Sequence, residues 1–509
     1  AGNVQLFQLL TSYFDFAAAQ PIGDSKLLEK IFEGRDTVTM GEAMAQGGEL
    51  RKALQAIRLL MNDPSAAENA ASYEKEGEKF AEALFGFGQG AYRSVSMALI
   101  PPADAAKKQW LTPADFMSVS QQGMGGILLD SEDPIDVEGR HLAALEKLAL
   151  NRDNRVAFTQ YAKEFRDLSI QRAKTRDEYA KIPIEVTFYR SKFFFYAQWL
   201  FVLGFVLTAL SWLNLKGKAM PKVAGVAVFV PWALLVTGIT YRCIIRNRPP
   251  ISTLYETILF TTAVAVLVGM IMELINRQKI GLSIASFLGV LGVFIANKYE
   301  IVDGQDTMPE LQAVLDTNFW LATHVTSVIT GYAAGLLAAA VSNVYIFGRL
   351  FGLKKGDPTF YKTLLRMIYG IVCFGLLFSF VGTVLGGIWA NYSWGRFWGW
   401  DPKENGALLI VLCNIAMLHS RMGGYIKEIG LAMASVFTGS VVAFSWWGVN
   451  LLGIGLHSYG FTTGIWGNLL AFWITQGVTL LAGAAVLIRE HGRNTALAGQ
   501  GPGTSAVAK

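Results

Sequence analysis

Apolar residues dominate the chain from Phe193 to about residue 488, where long hydrophobic runs alternate with short polar loops. Each run is long enough to cross the hydrocarbon core of a bilayer as a helix, which takes about 20 residues. The pattern predicts nine transmembrane helices, at about 193–213, 221–240, 254–275, 281–297, 320–347, 363–389, 403–420, 428–448 and 465–488.

Residues 1–185 have a different pattern, in which helical stretches alternate with proline-containing loops. No window there approaches the length of about 18 apolar residues that marks a membrane span. This part is predicted to be a helical, water-facing domain. The fold class that follows is an all-α polytopic membrane protein, with about nine transmembrane helices preceded by a helical extracytoplasmic domain.

Composition agrees with a membrane protein, because 52% of the residues are hydrophobic and 16% are charged, with a mean hydropathy of +0.36. Residues 1–190 hold 22 Lys and Arg against 27 Asp and Glu, so an acidic region precedes a basic one. The three cysteines, Cys243, Cys373 and Cys413, form no CxxC or CxxCH pattern. We interpret them as apolar fillers of membrane helices.

Basic residues in the short loops predict the orientation, since loops rich in Lys and Arg stay cytoplasmic. They fall on alternate loops, all on one side: Lys216, Lys218, Lys222, Arg277, Lys279, Arg349, Lys354, Lys355, Arg421, Lys427, Arg489 and Arg493. The opposite, outer side receives the N-terminal domain. We therefore predict a multi-pass protein of the cytoplasmic membrane with an extracytoplasmic domain at 1–190, a transmembrane domain at 191–490 and a cytoplasmic tail at 491–509.

One loop departs from this charge pattern, because Arg242, Arg246 and Arg248 would lie outside. Either the second span is misplaced or these arginines bind an anionic ligand group. The chain also opens with Ala1 and without a signal peptide, so we expect it to be a fragment of a longer protein.

Five histidines occur, and His324 and His457 stand out because both fall on the predicted outer side. His419 lies at the inner end of its span, where the adjacent Arg421 makes snorkelling to the headgroups an alternative to function. His141 and His491 are predicted to be solvated side chains. Two neutral imidazoles on opposite faces of a porphyrin give a six-coordinate iron, so His324 and His457 are candidate haem ligands.

A tryptophan-rich hairpin lies on the same side, where residues 394–405 read WGRFWGWDPKEN. Trp394, Trp398 and Trp400 are interleaved with Gly395 and Gly399, which let the backbone approach a flat ligand closely. An ordinary interfacial aromatic belt is the alternative. Arg396 is suited to a haem propionate, and Asp401, Pro402 and Glu404 have the spacing of a capping box that clamps the hairpin onto the next helix.

Four stretches of this sequence resemble the CcsA/ResC-type cytochrome c biogenesis proteins of system II, members of the haem-handling WWD superfamily. They are GIWANYSWGRFWGWDPKE at 387–404, RPPISTLYE at 248–256, FWLATHV at 319–325 and GVNLLGIGLHSYGF at 448–461. The resemblance covers about residues 240–490. It extends to fused CcsBA-type synthases, of which this chain would be the C-terminal part.

The resemblance implies that the hairpin is an external haem platform, built from Trp394, Gly395, Arg396, Trp398, Trp400 and Asp401, with His324 and His457 as the axial ligands. It also implies that haem b, as substrate, is joined to the CxxCH thiols of apocytochrome c on the outer side of the membrane. No catalytic residue beyond the haem ligands is assigned. His419 would belong to a haem site within the membrane.

The resemblance also bears on partners. Fused relatives supply a second membrane histidine upstream, and this chain has none between His141 and His324. That histidine would come from a CcsB/ResB-type subunit or an upstream fused segment. A thiol reductant and membrane lipid are further expected partners, and nucleic acid is not.

Three other functions are consistent with the sequence. The first is a haem exporter or chaperone without ligase activity, which motifs cannot distinguish from a ligase. The second is a membrane electron-transfer subunit with permanently bound bis-His haem, which predicts histidine pairs inside the bilayer. A haem-free transporter ranks last, because its acidic candidates Glu256 and Glu273 lie near helix ends.

Overall fold

A computed structural model of the chain describes residues 20–39, 42, 46–61, 75–79, 82, 98–102, 106, 109–111, 137–213, 219–303, 308, 317–354, 356–455, 457 and 465–499. The chain divides into two compact units, Ala1–Pro183 and Ile184–Lys509.

The described part of the first unit is mainly helical. Its elements are β1 (Gln20–Pro21), α1 (Lys26–Ile31), β2 (Thr37–Val38), α2 (Gly47–Met61), α3 (Val137–Leu150) and α4 (Arg155–Thr175). The two short strands pair antiparallel. Ser25 caps α1, and its hydroxyl donates to Glu76 at 2.7 Å, which ties a distant segment to this turn.

His141 contradicts its prediction, because it is only 1% exposed and not solvated. It lies on α3, and its ring meets Phe165 of α4 edge-on, with 6.2 Å between the ring centroids. Contact between the two helices buries this face, which a sequence window within one polar helix does not reveal. His491 is exposed, as predicted.

The second unit is a bundle of long apolar helices. These long helices are α6 (Phe193–Leu213), α7 (Ala219–Arg246), α8 (Leu254–Asn276), α9 (Ile280–Asp303), α10 (Thr326–Phe351), α11 (Pro358–Trp394), α12 (Pro402–Met422), α13 (Glu428–Ala443) and α14 (Ile465–Gly499). A short helix, α5 (Ile182–Ser191), precedes them and includes the boundary between the two units. Among the described residues, nine helices are long and apolar enough to cross a membrane. The predicted class, an all-α polytopic membrane protein, is thus confirmed.

Helices α10 and α11 pack with their backbones in close contact. A Cβ at Gly382 would lie 2.8 Å from the backbone nitrogen of Val328, and one at Gly331 would lie 2.9 Å from that of Ser379. Only glycine allows the two backbones to approach this closely, as is common where membrane helices pack. The first turns of α10 therefore lie directly against the second half of α11.

The contacts of Arg242 explain why its loop departs from the charge pattern. The second span is not misplaced, since α7 continues through Arg246. The Arg242 guanidinium donates to Oε1 of Glu256 from Nε at 3.1 Å and from Nη2 at 2.9 Å, and both side chains are buried. The backbone nitrogen of Ser252 donates to the other carboxylate oxygen at 3.0 Å. Arg242 thus neutralises an internal carboxylate.

Replacing Arg242 with Met should destabilise the protein by about 3–5 kcal/mol, because it leaves the Glu256 carboxylate buried without its cation. The double variant Arg242→Met/Glu256→Leu should regain most of that loss. Arg349→Met is the control, since its bridges to Glu428 and Glu490 are both partly exposed and such pairs contribute less than a buried one. Denaturant midpoints in mixed micelles measure all three, and equal losses for both single variants would contradict the prediction.

Candidate functional site

Most of the predicted site residues come together at one end of the bundle, here called the hairpin end. Consecutive spans run in opposite directions, so the starts of the fifth and seventh spans lie level with the ends of the sixth and eighth. His324 is near the start of the fifth span, Trp394 ends the sixth, and Asp401 precedes the seventh. His457 follows a 3-10 turn, Val449–Leu452, that ends the eighth.

The hairpin between α11 and α12 is held by backbone hydrogen bonds to its own side chains. Asp401 caps α12 and accepts from the backbone nitrogen of Lys403 at 2.9 Å, with Pro402 in the first helical position. The Glu404 carboxylate accepts from the backbone nitrogens of Gly399 at 2.8 Å and Asp401 at 3.2 Å. The predicted capping box is confirmed, and it extends one bond further into the hairpin than the motif requires.

Two hairpin residues, Gly395 and Trp400, adopt left-handed backbone conformations. Gly395 ends α11 with φ of 67°, and Trp400 has φ of 57°, which is unusual for a bulky side chain. The Trp400 carbonyl accepts from the Asn405 side chain at 3.0 Å, which supports that conformation. Trp400 is consequently held 70% exposed at the surface of the hairpin.

Arg396 folds back over the hairpin. Its guanidinium carbon lies 6.0 Å from the centre of the Trp394 ring, and the guanidinium occupies the space that a side chain at residue 399 would need. Gly399 therefore leaves the space in which the Arg396 guanidinium lies. This places a cation beside the tryptophans, where an anionic ligand group would meet it.

His324 lies in a π-helical turn, Leu321–Val325, that precedes α10. Its Nδ1 is 2.7 Å from the carbonyl oxygen of Gly382 on α11. A Cβ at Gly386 would lie 2.5 Å from the imidazole Cε1, so the ring packs directly on the α11 backbone. The Trp389 ring meets it edge-on at 5.7 Å. π-Helical turns are rare and frequently occur at functional sites.

His457 is held by the hairpin itself. Its Nδ1 lies 3.1 Å from Oδ1 of Asp401, and its ring meets Trp394 edge-on at 5.6 Å. Gly455 has φ of 91° and leaves no room for a side chain beside the Asp401 carboxylate. Burial lowers the pKa of His457 despite the nearby carboxylate, so the imidazole is neutral around pH 7.

The two imidazoles share one arrangement, in which Nδ1 faces an oxygen acceptor and Nε2 is the ring nitrogen left to bind a metal. A carbonyl serves His324 and a carboxylate serves His457, and such partners set the tautomer of metal-binding histidines. The two rings are close enough to interact electrostatically. This donor set suits a haem iron, which takes two neutral imidazoles.

The surrounding tryptophans also suit a planar ligand with anionic groups. Trp398 and Trp400 meet edge-on at 6.2 Å, and Trp320 stacks on Trp389 at 6.3 Å with 9° between the planes. The indole nitrogen of Trp398 is buried and has no hydrogen-bond partner in the part of the chain that the structure describes. An indole N–H pairs with an acceptor when buried, and a carboxylate oxygen is such an acceptor.

His419 is not part of this cluster. It lies in the last turn of α12, about 27 Å along the helix from Asp401 at 1.5 Å per residue. Its ring is exposed, and Nδ1 is 2.9 Å from the Ile415 carbonyl. The basic residues Arg421 and Lys427 lie at this same end of the bundle.

Several residues that shape the site were not predicted as site residues. Gly382 supplies the acceptor for His324, and Gly386 gives the ring its place against α11. Lys403 and Asn450 join the hairpin to the segment that leads to His457. The pair Gly386–Gly387 inside an apolar helix was the available signal, since glycine is unfavourable there unless a neighbour must come close.

Fold and site together define a polytopic membrane protein with a tryptophan-lined pair of oriented histidines at one membrane surface. Residues 251–457 match the model of a family described as cytochrome c assembly protein. The cytochrome c biogenesis protein CcsA of Chlamydomonas reinhardtii is 33% identical over 257 residues, which cover 49% of this chain and 70% of that protein. The chain belongs to the CcsA family of cytochrome c biogenesis proteins.

Two further CcsA proteins agree with this assignment. That of Synechococcus sp. (strain CC9902) is 29% identical over 287 residues, covering 51% of this chain and 94% of the relative. That of Prochlorococcus marinus (strain NATL1A) is 31% identical over 245 residues, covering 42% and 76%. Family membership gives the chain a role in cytochrome c biogenesis as a multi-pass membrane protein, and all three alignments cover only about half of its length.

Proposed function

We propose that this protein holds haem b at the hairpin end of the bundle and attaches it covalently to the CxxCH motif of apocytochrome c. The observation that carries the proposal is the pair His324 and His457, each with Nδ1 facing an oxygen acceptor from a different element. Two imidazoles oriented in this way can serve as the axial ligands of a haem iron. Haem is the substrate here, not a resident cofactor.

The apocytochrome supplies the nucleophiles for this reaction. Each cysteine sulfur bonds to a haem vinyl carbon, and the thiol hydrogen goes to the other vinyl carbon. The S–H bond and the C=C π bond break, C–S and C–H bonds form, and no external oxidant or reductant is consumed. The protein therefore needs no nucleophile of its own. Its contribution is to fix the haem edge beside the thiols, and such positioning accounts for several kcal/mol of a barrier.

Named residues of this chain divide that task. His324 and His457 hold the iron, and His457 then gives way to the histidine of CxxCH. Trp394, Trp398 and Trp400 form the platform with Gly395 and Asp401. The haem propionates contact Arg396 and the indole nitrogen of Trp398. Their negative charge pairs with the Arg396 guanidinium, and their oxygens accept from the buried indole N–H.

We place the hairpin end on the outer side of the cytoplasmic membrane. The opposite end of the bundle holds Arg277, Lys279, Lys354, Arg421 and Lys427, and short loops rich in such residues stay cytoplasmic. His419 lies at this basic end with its ring exposed on α12. Its position suits a haem site shared with a histidine from a CcsB/ResB-type subunit or an upstream segment.

Covalent product formation tests the proposal. The protein, purified with haem b under reducing conditions, is mixed with an apocytochrome that carries CxxCH and, separately, with its SxxSH variant. We expect haem that resists acid–acetone extraction only with the CxxCH substrate. Haem-loaded protein that transfers haem without forming a thioether would instead support an exporter or chaperone. Haem that never leaves the protein would support the electron-transfer alternative.

A further inference from the structure

Lys403 connects the start of α12 to a segment more than 40 residues further along the chain. It lies in the first turn of α12, inside the hairpin motif, where a lysine would ordinarily extend into water. Instead, its Nζ donates to the Trp446 carbonyl at 2.8 Å and to Oδ1 of Asn450 at 3.0 Å. No ion pair of Lys403 occurs among the described residues, although Asp401 is near enough to interact with it electrostatically. Two neutral acceptors therefore hold the Lys403 amino group.

Both acceptors belong to the segment that ends in His457. Trp446 lies in a second π-helical turn, Phe444–Gly448, where the regular helical hydrogen-bond ladder is interrupted. Asn450 follows in the 3-10 turn. Among the described residues, both π-helical turns are thus connected to the site. One contains His324, and the other is joined to the hairpin through Lys403.

The hairpin consequently contacts the segment between Trp446 and His457 at two points. Lys403 holds its beginning at Trp446 and Asn450, and Asp401 holds its end at His457. Between them the backbone passes Gly453 and Gly455, both with positive φ. Glycines leave such a connection with little stiffness of its own. The position of His457 therefore depends on its anchors rather than on the connection.

We propose that Lys403 is a positioning residue that sets the place of the His457 imidazole through Trp446 and Asn450. This inference rests on the proposed function, because it concerns the same ligand. Without the Lys403 side chain, this segment loses its anchor at Trp446 and Asn450, and His457 no longer reaches the iron in every molecule. His324 is carried by other elements and keeps its place.

The test uses the full chain purified with haem b, with Lys403→Met, which keeps much of the volume but removes the donors. We expect haem to remain bound while the low-spin, six-coordinate spectrum changes to a five-coordinate one. Added imidazole should restore the low-spin spectrum by entering the open position. Supporting partners of metal ligands typically account for at least a tenfold effect, so His457 ligation should weaken on the order of tenfold.

Two more variants make the result specific. Asn450→Leu removes one acceptor without altering the hairpin, so a smaller shift in the same direction is expected even if Lys403→Met folds poorly. Lys298→Met is the matched control, since Lys298 also donates to an asparagine, Asn468, at 3.3 Å but is exposed. It should leave the spectrum unchanged.

Opposite results separate the two ideas. A wild-type low-spin spectrum that persists in both Lys403→Met and Asn450→Leu would overturn the positioning role and leave the proposed function standing. Wild-type protein without low-spin haem would overturn the ligand assignment itself. A five-coordinate spectrum that imidazole does not restore would mean that the variant has lost the haem pocket and not merely the position of one ligand, and it would also count against the inference.

Discussion

Replacing both His324 and His457 with alanine is expected to abolish the low-spin haem spectrum of the purified protein. Each imidazole has an orienting acceptor, the Gly382 carbonyl or the Asp401 carboxylate, and each leaves Nε2 for the iron. Removal of both takes away both axial bonds. The measurement is the visible absorption spectrum in detergent, oxidised and dithionite-reduced, with the haem content per chain.

Single variants and a distant histidine give this prediction its controls. Either single change should leave five-coordinate haem that added imidazole converts back to low-spin haem. His419→Ala should leave the spectrum of the hairpin end intact, because His419 lies at the opposite end of α12. A double variant with the wild-type low-spin spectrum would exclude His324 and His457 as ligands.

Asp401→Asn should separate the two tasks of this carboxylate. Asn is as good an N-cap as Asp, so helix α12 should keep its stability. The amide is a weaker acceptor for the Nδ1–H of His457, and loss of such a partner typically lowers metal affinity or activity roughly ten- to a hundredfold. We expect weaker His457 ligation and a comparable fall in thioether formation with an unchanged denaturation midpoint.

Asp357 provides the comparison for that experiment. It caps α11 as Asp401 caps α12, with proline in the next position, and it accepts from the backbone nitrogens of Thr359 and Phe360. Among the described residues, no ion pair or hydrogen bond joins it to a histidine. Asp357→Asn should alter neither stability nor haem ligation. Asp401→Ala should add a cap loss of about 1 kcal/mol to the ligation defect. If Asp401→Asn behaves like Asp357→Asn, the carboxylate serves only the helix.

Hydropathy and local spacing were sufficient to predict much of this protein. The nine spans follow from run length, because a membrane helix must be apolar over nearly its whole length. The Asp401–Pro402–Glu404 cap follows from spacing alone, since its hydrogen bonds join neighbours in the chain. Both predicted site histidines lie at the same end of the bundle because alternate spans run in opposite directions.

Features that depend on contact between distant segments were not predictable in this way. The burial of His141 depends on packing of α4 against α3, and the partner of Arg242 lies on the following helix. The Gly382 acceptor of His324 is 58 residues away in sequence. Neither π-helical turn has a distinctive composition, so the contact of Lys403 with Trp446 could only be seen in three dimensions.

The locked hairpin has a consequence for the thermodynamics of binding. Glu404, Asn405 and Arg396 hold its backbone and side chains through contacts within the hairpin itself. A surface that is ordered beforehand loses little conformational entropy when a flat molecule docks on it. Because this entropy loss is small, few tight contacts are needed to offset it. A molecule held by few contacts on a rigid surface is also released without any refolding of that surface, which is what transfer to a second protein requires.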